Sequence, residues 1–396
     1  MISISRLLCD STSPGDSLRY AHGHTNRDNG SERPVVVWNC TRGCNLHCIH
    51  CYANAGNSCS PDEMDTPTGK AFIRDLADFG APVILFSGGE PLQRQDLFEL
   101  AEFAKSCGLR VALSTNGTLI DEETARKIKE TGFAEAGISL DGVGAKNDYF
   151  RGHKGAFASA LTGIRNCTAL GVRVSLRLTI TGYNYKEIPA IFKLVEDEGI
   201  DRVCFYHLAY SGRGDNLRKQ DISHSQTRAV IDQICDWTID LHKRGLKKEV
   251  LTVGNHADAV YLYLRTKDTD PARAARILEL QRLNGGNNSG IKIGAVDDVG
   301  NVHPDQFWRH HILGNVRERK FGEIWLDTTE PLLKGLKDRK SLLKGRCAAC
   351  RYLDLCNGNL RVRAEAVYGD VWAPDPACFL TDEEIGLTTQ SKNMFA

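Results

Sequence analysis

No segment of this 396-residue chain is long and apolar enough to span a bilayer, which takes about 20 such residues. The opening MISISRLLCDSTSPGD lacks both a long apolar stretch and a small-residue cleavage site, so no secretory leader is read there. Neither sign of charge is in surplus, because 50 Lys and Arg balance 50 Asp and Glu. That argues against a broad basic footprint for nucleic acid. No internal repeat stands out beyond an alternation of strands and helices. These absences leave a chain expected in the cytoplasm, with no membrane and no nucleic-acid partner. Cysteine, by contrast, is plentiful, at 14 residues. In a reducing compartment that number points to metal or redox chemistry rather than a disulfide scaffold.

Two groups of cysteines carry the chemistry. Cys44, Cys48 and Cys51 lie in WNCTRGCNLHCIHCYANAG (38–56) with the spacing C-x3-C-x2-C. Three thiolates from one short loop suit an iron–sulfur cube with one iron left open. A zinc site that recruits His47 or His50 is the competing reading. Cys40 falls outside the spacing and is read as a non-ligand. Cys347, Cys350, Cys356 and Cys378 form C-x2-C-x5-C-x21-C. Four thiolates close either a second cube or a zinc tetrahedron, and spacing alone does not choose between them. Cys9, Cys40, Cys59, Cys107, Cys167, Cys204 and Cys235 are scattered and read as small buried hydrophobes.

Between 34 and 208 the sequence alternates apolar runs with helical patterns. The runs at 35–39, 82–88, 110–117, 134–142, 172–180 and 202–210 predict buried parallel strands. Helices are predicted over 66–80, 96–107, 121–131, 156–170 and 185–198. Asp121 caps one start, and Gly108, Gly132 and Gly171 stand at three ends. The fold class is therefore α/β, a partial (βα)6 barrel whose functional loops follow the strands, with a C-terminal α+β cluster domain. The expected division is an N-terminal extension 1–33, a barrel 34–215, a helical connector 216–284 and a cluster domain with tail 285–396. Residues 290–305 predict a β-hairpin, and residues 11–33 and 386–396 are polar and expected to be loose.

Polar residues gather where these strands end. Gly88, Gly89 and Glu90 in SGGEP allow close backbone approach to a ligand, although a plain turn would use the same glycines. Asn116 in STNG, and Ser139 and Asp141 in SLDG, suit either ligand contact or loop capping. Arg177 interrupts an apolar strand, and a buried guanidinium requires an anion, either on a ligand or on a barrel carboxylate.

The cysteine triad, the strand-end motifs and the barrel together resemble the radical S-adenosylmethionine (SAM) enzymes. The resemblance implies a [4Fe–4S] cluster held by Cys44, Cys48, Cys51 and SAM. It places the SAM amino group against Gly88, Gly89 and Glu90. It assigns the carboxylate or ribose to Ser139, Asp141 and Arg177, with Asn116 nearby, and packs adenine on His50. The C-terminal cysteines are similar to the auxiliary cluster of SPASM and twitch domains, implying a second [4Fe–4S] on Cys347, Cys350, Cys356 and Cys378. A full SPASM set would need more cysteines than this region holds, which argues against the peptide-modifying branch.

The strings GVGAKNDYFRG, HLAYSGRG, GNNSG, VHPDQFWRHHILGNVRER and CNGNLRVRAEAVYGD resemble the tetrapyrrole-modifying branch. That branch implies haem biosynthesis from sirohaem, by removal of both acetate arms of 12,18-didecarboxysirohaem to give Fe-coproporphyrin III. One SAM would be consumed per arm, and the released carboxymethyl unit would be reduced. The neighbouring activity, removal of propionates from the same substrate for haem d1, is the alternative. A peptide-modifying maturase and a non-catalytic iron–sulfur protein are alternatives of other classes. The branch also implies a low-potential donor such as ferredoxin or flavodoxin and a monomer. His256, His303, His310 and His311 lie in polar loops and are candidates for substrate iron or proton transfer. Arg309, Arg361 and Arg363 are candidates for gripping carboxylates.

Overall fold

A computed structural model of the chain describes residues 1–20 and 33–387. Its centre is one 11-stranded sheet in the order β1-β8-β7-β6-β5-β4-β3-β2-β9-β10-β11. The six predicted strands are β2 (Val35–Asn39), β3 (Val83–Ser87), β4 (Arg110–Thr115), β5 (Ala136–Ser139), β6 (Val174–Ile180) and β7 (Arg202–His207). They pair in parallel and in sequence order. Helices Thr66–Phe79, Leu97–Ser106, Glu122–Thr131, Ala156–Ala169 and Ile188–Asp197 connect them. The Asp121 side chain accepts from the Thr124 amide, and Gly132 ends that helix in the left-handed region.

Period-2 alternation splits each strand between two environments. Val36, Trp38, Ile84, Phe86, Val111, Leu113, Val203 and Phe205 pack into the main core. Their neighbours Val35, Val37, Val83, Leu85, Ala112, Cys204 and Tyr206 line one internal cavity instead. The sheet therefore wraps around a lumen, as a partial barrel must.

Three predicted features need correction. The connector 216–284 is not purely helical, because β8 (Glu249–Val253) extends the parallel array beside β7. Its run EVLTV is short and flanked by long helical patterns, which hid it. The hairpin at 290–305 exists as β9 (Ile293–Val296) and β10 (Asn301–His303), with β11 (Gly314–Asn315) beside it. However, β9 also pairs in parallel with β2, so the C-terminal region completes the barrel sheet rather than standing apart.

Residues 1–20 are likewise docked. β1 (Ile2–Ser3) pairs antiparallel with β8. Buried Arg19 and the Ser13 hydroxyl both reach Glu249. Glu249 also takes Arg173 and Arg202, and although burial opposes its ionisation, Arg19 and Arg202 hold its carboxyl down at about 2. The remainder of the stretches expected to be loose, 21–32 and 388–396, lies outside the described residues.

Candidate active site

The loop after β2 is shaped by backbone contacts before any ligand is considered. Cys44 N–H donates to the Gly56 carbonyl at 2.7 Å, and Gly89 and Glu90 N–H donate to the Thr41 and Gly43 carbonyls at 2.7 Å each. A Cβ on Gly89 would collide with the Gly43 carbonyl, so the strand-end glycine is needed for this close approach. From the other side, His47 and Ile49 N–H donate to the Arg151 and Phe150 carbonyls. The Arg213 guanidinium donates to the Cys48 and Ala55 carbonyls at 2.7 and 2.9 Å. HLAYSGRG is thus a strap across the cysteine loop.

Cys44, Cys48 and Cys51 are in no disulfide among the described residues and face one cavity of about 190 Å³. It is also lined by His50, Gly88, Gly89, Asn116, Ser139, Asp141, Arg151 and Arg177. Burial pushes the Cys44 thiol up to about 12. It also raises Cys48, although Arg151 Nη1 lies 3.7 Å from that sulfur and opposes the rise. A soft cationic centre would reverse this preference, since coordination favours the thiolate. Among the described residues, His50 Nδ1, Arg151 Nε and Arg177 Nε are buried without hydrogen-bond partners. Three thiols beside unpaired polar atoms fit a cluster with a polar ligand.

Asp141 anchors the far wall. Its Oδ1 accepts from the Thr179 amide at 2.8 Å, and its Oδ2 pairs with Arg151 and, at 3.2 Å, with His50 Nε2. Burial alone would raise its carboxyl, but Arg151 and His50 prevail and hold it at about 2. His50 stands edge-on to Phe150 at 5.5 Å. Asn116 Nδ2 donates to Asn45 at 2.8 Å and approaches Cys44 Sγ at 3.9 Å.

Two expected ligand contacts are corrected. The Glu90 carboxylate is fully buried and committed inside the protein, accepting from Thr115 Oγ1 and the Asn116 and Leu92 amides. It braces the β3 and β4 loops rather than facing the cavity. Arg177 lines the cavity, yet its guanidinium turns back down the lumen. It donates to Ser114 at 2.6 Å and lies 3.6 Å from Glu135. Gly137 makes this possible, because a Cβ there would occupy the guanidinium's place. Its partners within the protein are Ser114 and the barrel carboxylate Glu135.

Below Arg177 lies a larger and mostly apolar cavity of about 300 Å³. The two cavities share Val37, Leu85, Arg177, Tyr206, Gln306 and Phe307 as common wall. Arg19, Arg110, Arg202 and Lys292 add positive charge to the larger one.

The four candidate histidines part company here. His256 lines the larger cavity. His303 is buried with Nδ1 2.8 Å from the His311 carbonyl and Nε2 3.3 Å from Asp297, so it is a strut. His310 and His311 both reach Glu365, at 2.9 and 2.7 Å, in a half-open cluster outside the cavities. The arginine candidates are corrected as well. Arg361 caps the Val371, Ala373 and Gly358 carbonyls. Arg363 holds Asp375 through two nitrogens, and Arg309 pairs with Asp298 at 3.1 Å.

The C-terminal thiols converge on a separate pocket of about 20 Å³, walled by Ala257, Val260, Leu380 and Ile385. Burial, then the nearness of Cys347, Cys350 and Cys378, drives the Cys356 thiol well up, and Cys378 reaches about 12. Four thiols that mutually oppose ionisation in a closed apolar pocket fit a fully ligated metal centre. Among the other cysteines Cys40, Cys167, Cys204 and Cys235 are buried, but Cys59 is exposed, contrary to expectation.

Arg151, Arg213 and Tyr52 were not singled out from sequence. Arg151 ends helix Ala145–Arg151, and Tyr52 Oη bridges Asn39 and Ser87 at 3.0 and 3.1 Å. The surroundings of Arg151 in AKNDYFRGHKG are polar, so its burial follows from the fold and not from a local signal.

This chain belongs to the radical SAM superfamily, whose family profile matches residues 38–195. The family implies a [4Fe–4S] cluster and SAM, and the chain is a radical SAM enzyme. It is 54% identical over 395 residues to the Fe-coproporphyrin III synthase of Methanosarcina barkeri, covering 98% of this chain and 99% of that one. It is 42% identical to the pre-heme d1 synthase of Dinoroseobacter shibae, covering 91% and 89%. In fold it is similar to Streptococcus suis SuiB bound to precursor peptide SuiA, with TM-score 0.70, 17% identity and coverage of 88% and 76%.

Proposed function

We propose that the protein removes the two acetate side chains of 12,18-didecarboxysirohaem to give Fe-coproporphyrin III. The observation that carries this reading is the near-complete 54% match to a synthase of that name. The lumen supports it, since a mostly apolar chamber suits a flat macrocycle, while Arg19 and Arg202 on its wall are already paired with Glu249 and Glu135. In this reading Cys44, Cys48 and Cys51 hold the radical cluster, and Gly88, Gly89, Asn116, Ser139, Asp141 and His50 surround SAM. Bound there, the cluster and SAM together supply a carbon radical that takes hydrogen from substrate. Arg151 and Asp141 fix the wall next to Cys48, and Glu90 fixes the loops from behind. Arg177 stands where the two cavities meet and separates the polar chamber from the apolar one.

The second thiol site holds an auxiliary [4Fe–4S] cluster on Cys347, Cys350, Cys356 and Cys378. The electron donor is a ferredoxin or flavodoxin, and the enzyme works as a cytoplasmic monomer. Among the described residues no helix is long and apolar enough to cross a membrane. The 42% match to a pre-heme d1 synthase supports propionate removal as the second reading.

The test is anaerobic turnover with SAM, a low-potential reductant and 12,18-didecarboxysirohaem. Loss of both acetates makes two ring double bonds, so mass and absorption change together toward an iron porphyrin. A product that keeps its acetates and lacks propionates supports the second reading. SAM cleavage with an unchanged macrocycle overturns both.

A further inference from the structure

His256 is held in place from outside the barrel. It follows β8, and its backbone N–H donates to Asn359 Oδ1 at 2.7 Å. The preceding Asn255 donates to the Ala377 carbonyl at 2.9 Å and accepts from Asn359 Nδ2 at 2.6 Å. These bonds clamp residues 255–256 to the C-terminal segment and leave the imidazole on the wall of the larger cavity. The residue is only 5% exposed, and among the described residues its Nδ1 has no hydrogen-bond partner. The other histidines on the cavity walls have acidic partners: His50 pairs with Asp141 and His207 with Asp258 at 2.9 Å. Burial, reinforced by nearby positive charge including Arg363 and Arg339, holds His256 well below the ordinary histidine range. It is therefore a neutral imidazole at neutral pH, which is the form that binds metal.

With Nδ1 sealed inside the wall, Nε2 is the ring nitrogen left for a ligand that enters the cavity. We propose that His256 is the axial ligand to the iron of the tetrapyrrole substrate. The proposal rests on the substrate reading given above and adds a residue that recognises the metal rather than the side chains. Iron ligation sets the height and tilt of the macrocycle in the lumen, with Arg177 between it and the cysteine triad.

The test uses the cluster-loaded full chain and two probes, iron coproporphyrin III and metal-free coproporphyrin III. Wild type is expected to give a histidine-ligated absorption and electron paramagnetic resonance signature with the iron probe. In His256→Ala that signature is lost, and affinity for the iron probe falls by about tenfold or more. Affinity for the metal-free probe is unchanged, and added imidazole restores the signature. His256→Gln keeps most of the side-chain volume and serves if the alanine variant fails to fold, with cluster iron content as the folding control. An unchanged iron signature in a folded variant overturns the proposal. So does an equal loss of affinity for both probes, which would mark His256 as structural. Failure of wild type to bind either probe would instead overturn the substrate reading, and this ligand assignment with it.

Discussion

The two thiol sites of this protein use the same side chain for opposite ends. The triad sits beside a cavity of about 190 Å³ that is rich in polar groups, with a guanidinium near one sulfur and a carboxylate behind it. The tetrad closes on about 20 Å³ of mostly apolar space. The difference lies less in the number of sulfurs than in what the next residues do. Around the triad, main-chain N–H and carbonyl groups are spent on holding a loop open against its neighbours. Around the tetrad, the wall is mostly apolar, with Ala257, Val260, Leu380 and Ile385 beside Arg346, Tyr352 and Asn359. One site is built to exchange a ligand and the other to exclude it.

That contrast breaks most severely at the triad. Changing Cys44, Cys48 or Cys51 to Ala is expected to remove one cluster and abolish SAM cleavage, measured as 5′-deoxyadenosine. Product formation persisting in all three variants would refute the assignment. The tetrad is expected to yield a smaller effect. Replacing Cys347, Cys350, Cys356 or Cys378 should lower iron by about half, as one of two cubes is lost. SAM cleavage should fall less than in the triad variants. Loss of zinc with iron unchanged would show the tetrad to be a zinc staple.

The third expectation concerns Arg151, which gives the triad its polarity. Arg151→Met leaves Asp141 buried with His50 as its one remaining side-chain ion-pair partner among the described residues, at a cost of roughly 3 kcal/mol in stability. The pH dependence gives its sign. Asp141 is depressed from 3.8 to about 2, so its contribution is complete above about 3.8 and lost as pH falls through about 2. Without Arg151 the Asp141 carboxyl rises, and destabilisation begins at a higher pH. Chemical unfolding of both proteins at several acidic pH values checks this, and parallel curves would remove Asp141 from the account.

Much of this was legible in the sequence because strong periodicity and thiol spacing are local signals. The six strands from Val35–Asn39 to Arg202–His207, and five of the six α-helices between them, follow from runs of apolar residues with caps at their ends, while Ala145–Arg151 was not foreseen. β8 and the pairing of β9 with β2 were not legible, since strand partners are chosen by long-range packing. The same limit applies to side chains. Arg177 could be read as buried and in need of an anion, but only the fold shows that Glu135 and the space above Gly137 receive it. Glu90 likewise reads as a motif residue, and while the Leu92 amide is a local donor, Thr115 and Asn116 reach it from a chain segment that sequence does not bring together with it in advance. His256, His303, His310 and His311 look alike as loop histidines. Their separate fates follow from which carboxylate or carbonyl each meets after folding.

The clamp behind β8 has a consequence for how the molecule is completed. Asn359 fixes His256, while Arg363 donates to the Leu208 and Gly254 carbonyls after β7 and β8. Leu360 itself lines the larger cavity. The larger cavity is thus walled by strands from β2 to β8 but sealed by Leu360, which follows them far along the chain. During synthesis, which proceeds at about 5–20 residues per second, the lumen stands with one wall missing until those residues arrive. A chain truncated before Asn359 would carry the whole thiol triad and still present an unfinished chamber.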